Sequence, residues 1–238
     1  MTAQASTAPM DKRKAIVEAL MDLAARRSWH EIEITDIAKA ANVSLAEFRD
    51  LFPSKGAVLG GLSRMIDKQV LEGTTDDLAG EPARERIFDV LMRRFDAMQP
   101  YKEALRRISQ DLRYDPVSLA ALNQVALNSQ RFMLAAAGIG TEGPLGTLKL
   151  QGAVLVYANT MRTWLDDDDP AQAKTMARLD RELRRGERII EGADDLRRLS
   201  APLRAVGRAF MQGRRSYRSA RRRAADDNGD AENPAAAI

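Results

Sequence analysis

Apolar residues recur at helical spacing along most of the chain. Ile16, Leu20, Leu23 and Ala24 fall at i, i+4, i+7 and i+8 while Lys12, Arg13, Glu18 and Asp22 fall elsewhere, which predicts an amphipathic helix over residues 11–27. Two short helices, 33–41 and 44–52, flank a turn at Asn42, Val43 and Ser44, with the Ser44 hydroxyl placed to cap the second. Pro53 breaks the chain, Ser54 caps a longer helix to about Glu72, and 73–80 is a linker. Pro82 opens a helix through Ile87, Leu91, Phe95 and Met98, and Pro100 starts another that ends near Tyr114. Asp115 and Pro116 open a third to about Ala137, followed by a glycine-rich loop at 138–146. Residues 148–165 are mostly apolar, the run Asp166, Asp167, Asp168, Asp169 with Pro170 is read as a solvated break, and 171–191 is amphipathic through Ala173, Met176, Leu179, Leu183 and Ile190. No β-hairpin signal competes, so the fold class is all-α.

Composition narrows the chemistry. The 238 residues carry 37 Lys plus Arg against 34 Asp plus Glu, a net charge of +3, and no cysteine. Disulfides, thiolate metal sites and cysteine nucleophiles are excluded, and the single histidine, His30, is read as a packing or helix-end residue rather than a base. No nucleophile is paired with a base and no ligand set for a metal or cofactor is present, which argues against an enzyme. The glycine loop follows no strand, so it is no nucleotide cradle.

The longest uncharged stretches, 116–130 and 150–161, are shorter than the roughly 18 apolar residues a bilayer span needs. Residues 1–10 lack the charged and apolar regions of an export signal and read as a disordered N-terminus, so a cytoplasmic location is expected. Residues 204–223 hold eight arginines and no acid, with Leu203, Val206, Phe210 and Tyr217 roughly on one face. This predicts a basic amphipathic helix over 201–223, suited to an anionic membrane surface or nucleic acid, ahead of a disordered tail at 224–238.

The segment EITDIAKAANVSLAEFRDLF has the spacing of a helix-turn-helix: Ile37 and Ala38 pack inward, Ala41 leaves room for a close crossing, and Val43 and Phe48 plug the junction. With FPSK following at 52–55 and an amphipathic helix preceding, residues 11–72 resemble the DNA-binding domain of the TetR family of transcriptional regulators. The order of later helices, with Trp164, Leu165 and the acidic break joining the last two, resembles that family as well.

The resemblance implies a homodimer whose N-terminal three-helix domain reads double-stranded operator DNA and whose second domain, 81–200, binds a small apolar ligand and dimerises. It places Lys12, Thr35, Ser44, Leu45, Ala46, Glu47, Arg49 and Lys55 at the DNA. It also places Phe95, Met98, Tyr101, Leu105, Leu127, Phe132, Met161 and Trp164 around the ligand. Helices 148–165 and 171–191 would form a four-helix bundle with their symmetry mates, with Leu155 and Leu179 in the contact. The chain departs from the family where Glu33 replaces a threonine cap, and where Phe48, Arg49, Asp50, Leu51 and Phe52 replace a tyrosine-rich stretch. Residues 1–60 hold eight basic and eight acidic side chains, so the reading head lacks the usual basic footprint.

The later part, in RRFDAMQPYKEALRRI at 93–108 and YANTMRTWLDDDDPAQAKTMARLDREL at 157–183, is also similar to a second family of the same fold, the lipid-binding accessory protein of ubiquinone biosynthesis. That resemblance implies the alternative: a degenerate helix-turn-helix, a pocket for an isoprenoid lipid and a membrane-associated C-terminal helix.

Overall fold

The computed structural model describes residues 9–74, 78–143 and 145–189. The basic helix and the tail expected over 201–238, the end of the helix expected to reach 191, and most of the expected N-terminal disorder lie outside the described residues.

Helix α1 runs Pro9–Ala24 and buries Ile16, Val17, Leu20, Met21 and Ala24. It stops three residues short of the expected end because Arg27 serves the following turn, donating to Glu31 O (2.6 Å) and pairing with Asp36 (3.0 Å). A single 3₁₀ turn, Trp29–Glu31, leads to α2, Ile34–Ala40. Asn42 takes the left-handed conformation (φ 53°) that lets the chain reverse, a role asparagine tolerates at low cost. Helix α3, Leu45–Leu51, then opens on a reciprocal cap: Glu47 N–H donates to Ser44 Oγ (3.2 Å), and Ser44 N–H donates to Glu47 Oε2 (2.8 Å).

Helix α4, Lys55–Glu72, capped by Ser54, belongs to both halves of the fold. It packs on α1, and also on α5 (Ala83–Met98) and α7 (Pro116–Ala136). Gly61 is required where α4 meets the helix-turn-helix, since a Cβ there would lie 2.7 Å from the Phe52 ring. The remaining elements are α6 (Lys102–Leu112), α8 (Gly146–Leu165) and α9 over residues 173–189. Among the described residues there is no strand, and no helix is long and apolar enough to cross a membrane.

Two features organise the interior beyond α4. Phe95 stacks on Tyr157 (centroids 5.6 Å, 17°) and tilts against Trp164 (5.6 Å), an aromatic column that joins α5 to α8. Beside it lies a buried guanidinium. Arg94 donates through Nε to Asp67 Oδ1 (3.1 Å) and Ser129 Oγ (3.1 Å), through Nη2 to Ser63 Oγ (3.1 Å), and through Nη1 to the Tyr157 hydroxyl. Ser129 in turn donates to Asp67 Oδ1 (2.8 Å). One charge pair thereby ties α4, α5, α7 and α8 together.

The acidic break is exposed at Asp166, Asp168 and Asp169, as expected, and is corrected at one position. Asp167 is 1% exposed rather than solvated. Its carboxylate accepts from the Thr175 N–H (2.9 Å) and hydroxyl (2.7 Å) at the start of α9, while its carbonyl accepts from the Lys102 ammonium. Burial pushes this carboxyl up, but the Thr175 donors outweigh it and hold the pKa below the usual aspartate value. Leu179, expected at a dimer contact, is fully buried within the chain and belongs to its own core.

Removing one member of the Arg94–Asp67 pair strands a buried charge, so Asp67→Ala is expected to cost about 3 to 5 kcal/mol in chemical denaturation. Replacing both, as Asp67→Leu with Arg94→Met, is expected to cost much less, because no unpaired charge remains. Equal losses for the single and double variants would show that the pair is not what holds these helices.

Candidate nucleic-acid interface

The outer face of the helix-turn-helix is built by what α3 cannot bury. Phe48 (2% exposed) and Phe52 (2% exposed) turn inward with their rings 6.2 Å apart, and that commits Leu45, Ala46, Arg49 and Asp50 to the opposite, exposed side. Leu45 is 53% exposed, a large apolar side chain facing outward in the first turn of a capped helix. Thr35 and Ile34 are exposed at the start of α2, and Ser44 is exposed at the cap of α3. Chemically this face offers two apolar side chains, Leu45 and Ala46, of the kind that meet thymine methyls, and in Arg49 a planar fork that suits guanine or phosphate. Arg49 forms no ion pair among the described residues.

Three of the sequence-derived residues are engaged inside the domain. Lys12 pairs with Glu47 at 2.7 Å and so braces α3 against α1. Glu47 is thereby held ionised with its charge paired: the Lys12 ammonium and the Ser44 N–H and hydroxyl lower its pKa from 4.5 to about 2. Lys55 donates to Trp29 O (2.5 Å) and Ile32 O (2.7 Å) and lies 4.6 Å over the Trp29 ring, so its ammonium closes the turn ahead of α2. Burial lowers its pKa. Among the expected DNA contacts, Thr35, Ser44, Leu45, Ala46 and Arg49 are exposed, while Lys12, Glu47 and Lys55 are engaged within the domain.

Two groups that sequence reasoning missed connect this face to the later helices. Asp111 of α6 accepts from the Ser28 hydroxyl (2.8 Å) and the Trp29 N–H (2.6 Å) through one oxygen, and these bonds lower its pKa. At the other end, Arg106 of α6 donates to Leu165 O (2.7 Å) and pairs with Asp168 (2.7 Å) at the close of α8. Helix α6 is therefore a strut from the end of α8 to the turn that positions α2. No local signal announces Asp111, because its partners lie more than 80 residues away.

The residues expected around a ligand are placed unevenly. Phe95, Met98 and Trp164 are buried, Tyr101, Leu105, Leu127 and Met161 pack partly buried against the same core, and Phe132 is 55% exposed at a groove beside α4. Gln130 is fully buried on α7, and neither its amide oxygen nor its nitrogen has a hydrogen-bond partner among the described residues.

Because Glu47 is held near 2 when folded and near 4.5 when free, its contribution is complete above pH 4.5 and is lost as pH falls toward 2. Glu47→Gln is expected to lower the melting temperature at neutral pH, where the contribution is complete, and to flatten the acid limb so that the two proteins converge as pH approaches 2. An unaltered acid limb would show that the Lys12–Glu47 brace adds nothing to folding.

No family model matches the chain, and no curated protein matches it. Solved structures do. A TetR transcriptional regulator from Nitrosomonas europaea is similar with a TM-score of 0.58 at 23% identity, over 74% of this chain and 97% of that one. A TetR transcriptional regulator from Rhodococcus sp. RHA1 is similar with a TM-score of 0.55 at 19% identity, over 74% of this chain and 96% of the other. The helix order, the capped α3 and its exposed outer face thus occur on the fold of the TetR transcriptional regulators.

Proposed function

We propose that the chain is a DNA-binding transcriptional regulator of the repressor type, which reads a two-fold symmetric operator as a homodimer and is released by a small apolar ligand among the helices after α4. The observation that carries this reading is the outer face of α3: a reciprocally capped, braced helix that presents Leu45, Ala46 and Arg49 to solvent, with no hydrogen bond or ion pair from the Arg49 side chain among the described residues. The reading requires no catalytic step. Regulation needs a link between ligand and reading head, and two are available, through α4 itself and through the α6 strut.

A dimer is supported by the faces left open on α8 and α9, where Leu148 (39% exposed), Leu155 (61%) and Met176 (37%) lie outside the core. Leu155→Arg is expected to give a monomer by light scattering without loss of helicity; an unchanged dimer mass would put the contact elsewhere. Leu179 is unsuited to the same test because an arginine there would disrupt the core.

A second reading, the lipid-binding accessory protein, is favoured by one observation: Lys12 and Lys55 are both engaged intramolecularly, which thins the cationic complement of the reading head. Flotation with anionic liposomes separates the two readings, being positive only for the accessory protein.

The regulator is tested by selecting genomic fragments with purified full-length protein at low salt, then measuring affinity for the enriched site. Arg49→Ala is expected to lose about 1 to 3 kcal/mol of specific binding. No enriched sequence would contradict the regulator, and unchanged affinity in Arg49→Ala would remove α3 as its reading element.

A further inference from the structure

An open groove of about 470 Å³ runs between α4 and α7, lined by Arg64, Asp67, Lys68, Leu71, Glu72 and Phe132. That is single-molecule size. Its surface is mostly apolar, and Phe132 (55% exposed) and Leu71 (36%) stand open to solvent within it. Most of its charges have partners. Asp67 is committed to Arg94, and Lys68 lies 3.6 Å from Glu72. Arg64 is exposed and makes no ion pair or side-chain hydrogen bond among the described residues. Summed over Arg64, Lys68, Glu72, Asp67 and the Arg94 behind it, three positive and two negative charges leave one positive charge beside an apolar floor.

We propose that this groove binds a monoanionic amphiphile of small-molecule size: an apolar or aromatic body lies on Leu71 and Phe132, and one carboxylate or sulfonate is held by the Arg64 guanidinium. The planar fork of Arg64 suits a two-oxygen anion, and the apolar side chains beside it take the body of the same molecule. This rests on the regulator reading for its consequence and narrows its ligand from apolar to anionic and amphipathic. The groove is formed by the C-terminal half of α4, whose first residue, Lys55, holds the carbonyls of Trp29 and Ile32. Asp67, in its lining, is also the partner of Arg94. An occupant that shifts α4 against α7 therefore acts on the helix that positions the reading head.

The test uses full-length protein and two fluorescent probes of the same ring system, the anionic anilinonaphthalene sulfonate and the neutral phenylnaphthylamine. The sulfonate is expected to bind more tightly than the neutral probe. Arg64→Ala is expected to weaken the sulfonate roughly tenfold and leave the neutral probe unchanged, Arg64→Lys to recover part of the loss, and Phe132→Ala to weaken both probes. Both positions are exposed, so melting temperatures serve as the folding control. Equal affinity for the two probes, or sulfonate binding indifferent to both Arg64→Ala and Phe132→Ala, overturns the proposal. DNA binding is measured on the same preparations. Sulfonate binding that maps to this groove in a protein that binds no DNA supports the site and overturns the regulator reading alone. DNA binding without groove-mapped sulfonate binding overturns the site alone.

Discussion

The burial of Arg94 against Asp67 is the constraint around which the rest of the fold is arranged. A guanidinium that is 3% exposed must have its donors met, and the chain meets them from three other helices at once: Asp67 and Ser63 on α4, Ser129 on α7 and Tyr157 on α8. Apolar packing alone would let these helices slide over one another at modest cost. A charge pair with directed hydrogen bonds fixes their register, and because α4 also supplies the floor under α1 and Phe52, the register of the later helices becomes the register of the reading head.

A second connection runs parallel to the first. Helix α6 is pinned to the end of α8 by Lys102 and Arg106, and to the start of the helix-turn-helix by Asp111. The cations that sequence inspection assigns to phosphate contacts are partly diverted to this internal work, Lys12 to Glu47 and Lys55 to two carbonyls. For the regulator proposed above, this arrangement would take less affinity from counterion release and more from contacts of the exposed α3 face.

The helix order, the turn at Asn42, the Ser44 cap and the inward set of Ile37, Ala38 and Phe48 were legible in the sequence because each is a local pattern of period, cap or turn residue. What was hidden is long-range and polar. Arg94 sits in a run of charged and apolar residues that reads as one amphipathic helix, and nothing near it marks its burial. Asp111 looks like any exposed acid of α6, and Asp167 like one of four solvated aspartates, until the chain returns to bring Trp29 and Thr175 against them. The outward set of Leu45 was carried by the resemblance, which places it at the DNA, and the inward commitment of Phe48 and Phe52 supplies its physical reason.

The claim that the Arg94–Asp67 pair holds the reading head through α4 is tested most directly by amide hydrogen exchange on Asp67→Asn, which keeps the side-chain volume and removes the charge. The account predicts faster exchange not only along α4 and α5 but also across residues 28–37, where Lys55 and Asp111 close the turn before α2. Faster exchange confined to the helices that contact Arg94, with residues 28–37 unchanged, would contradict it.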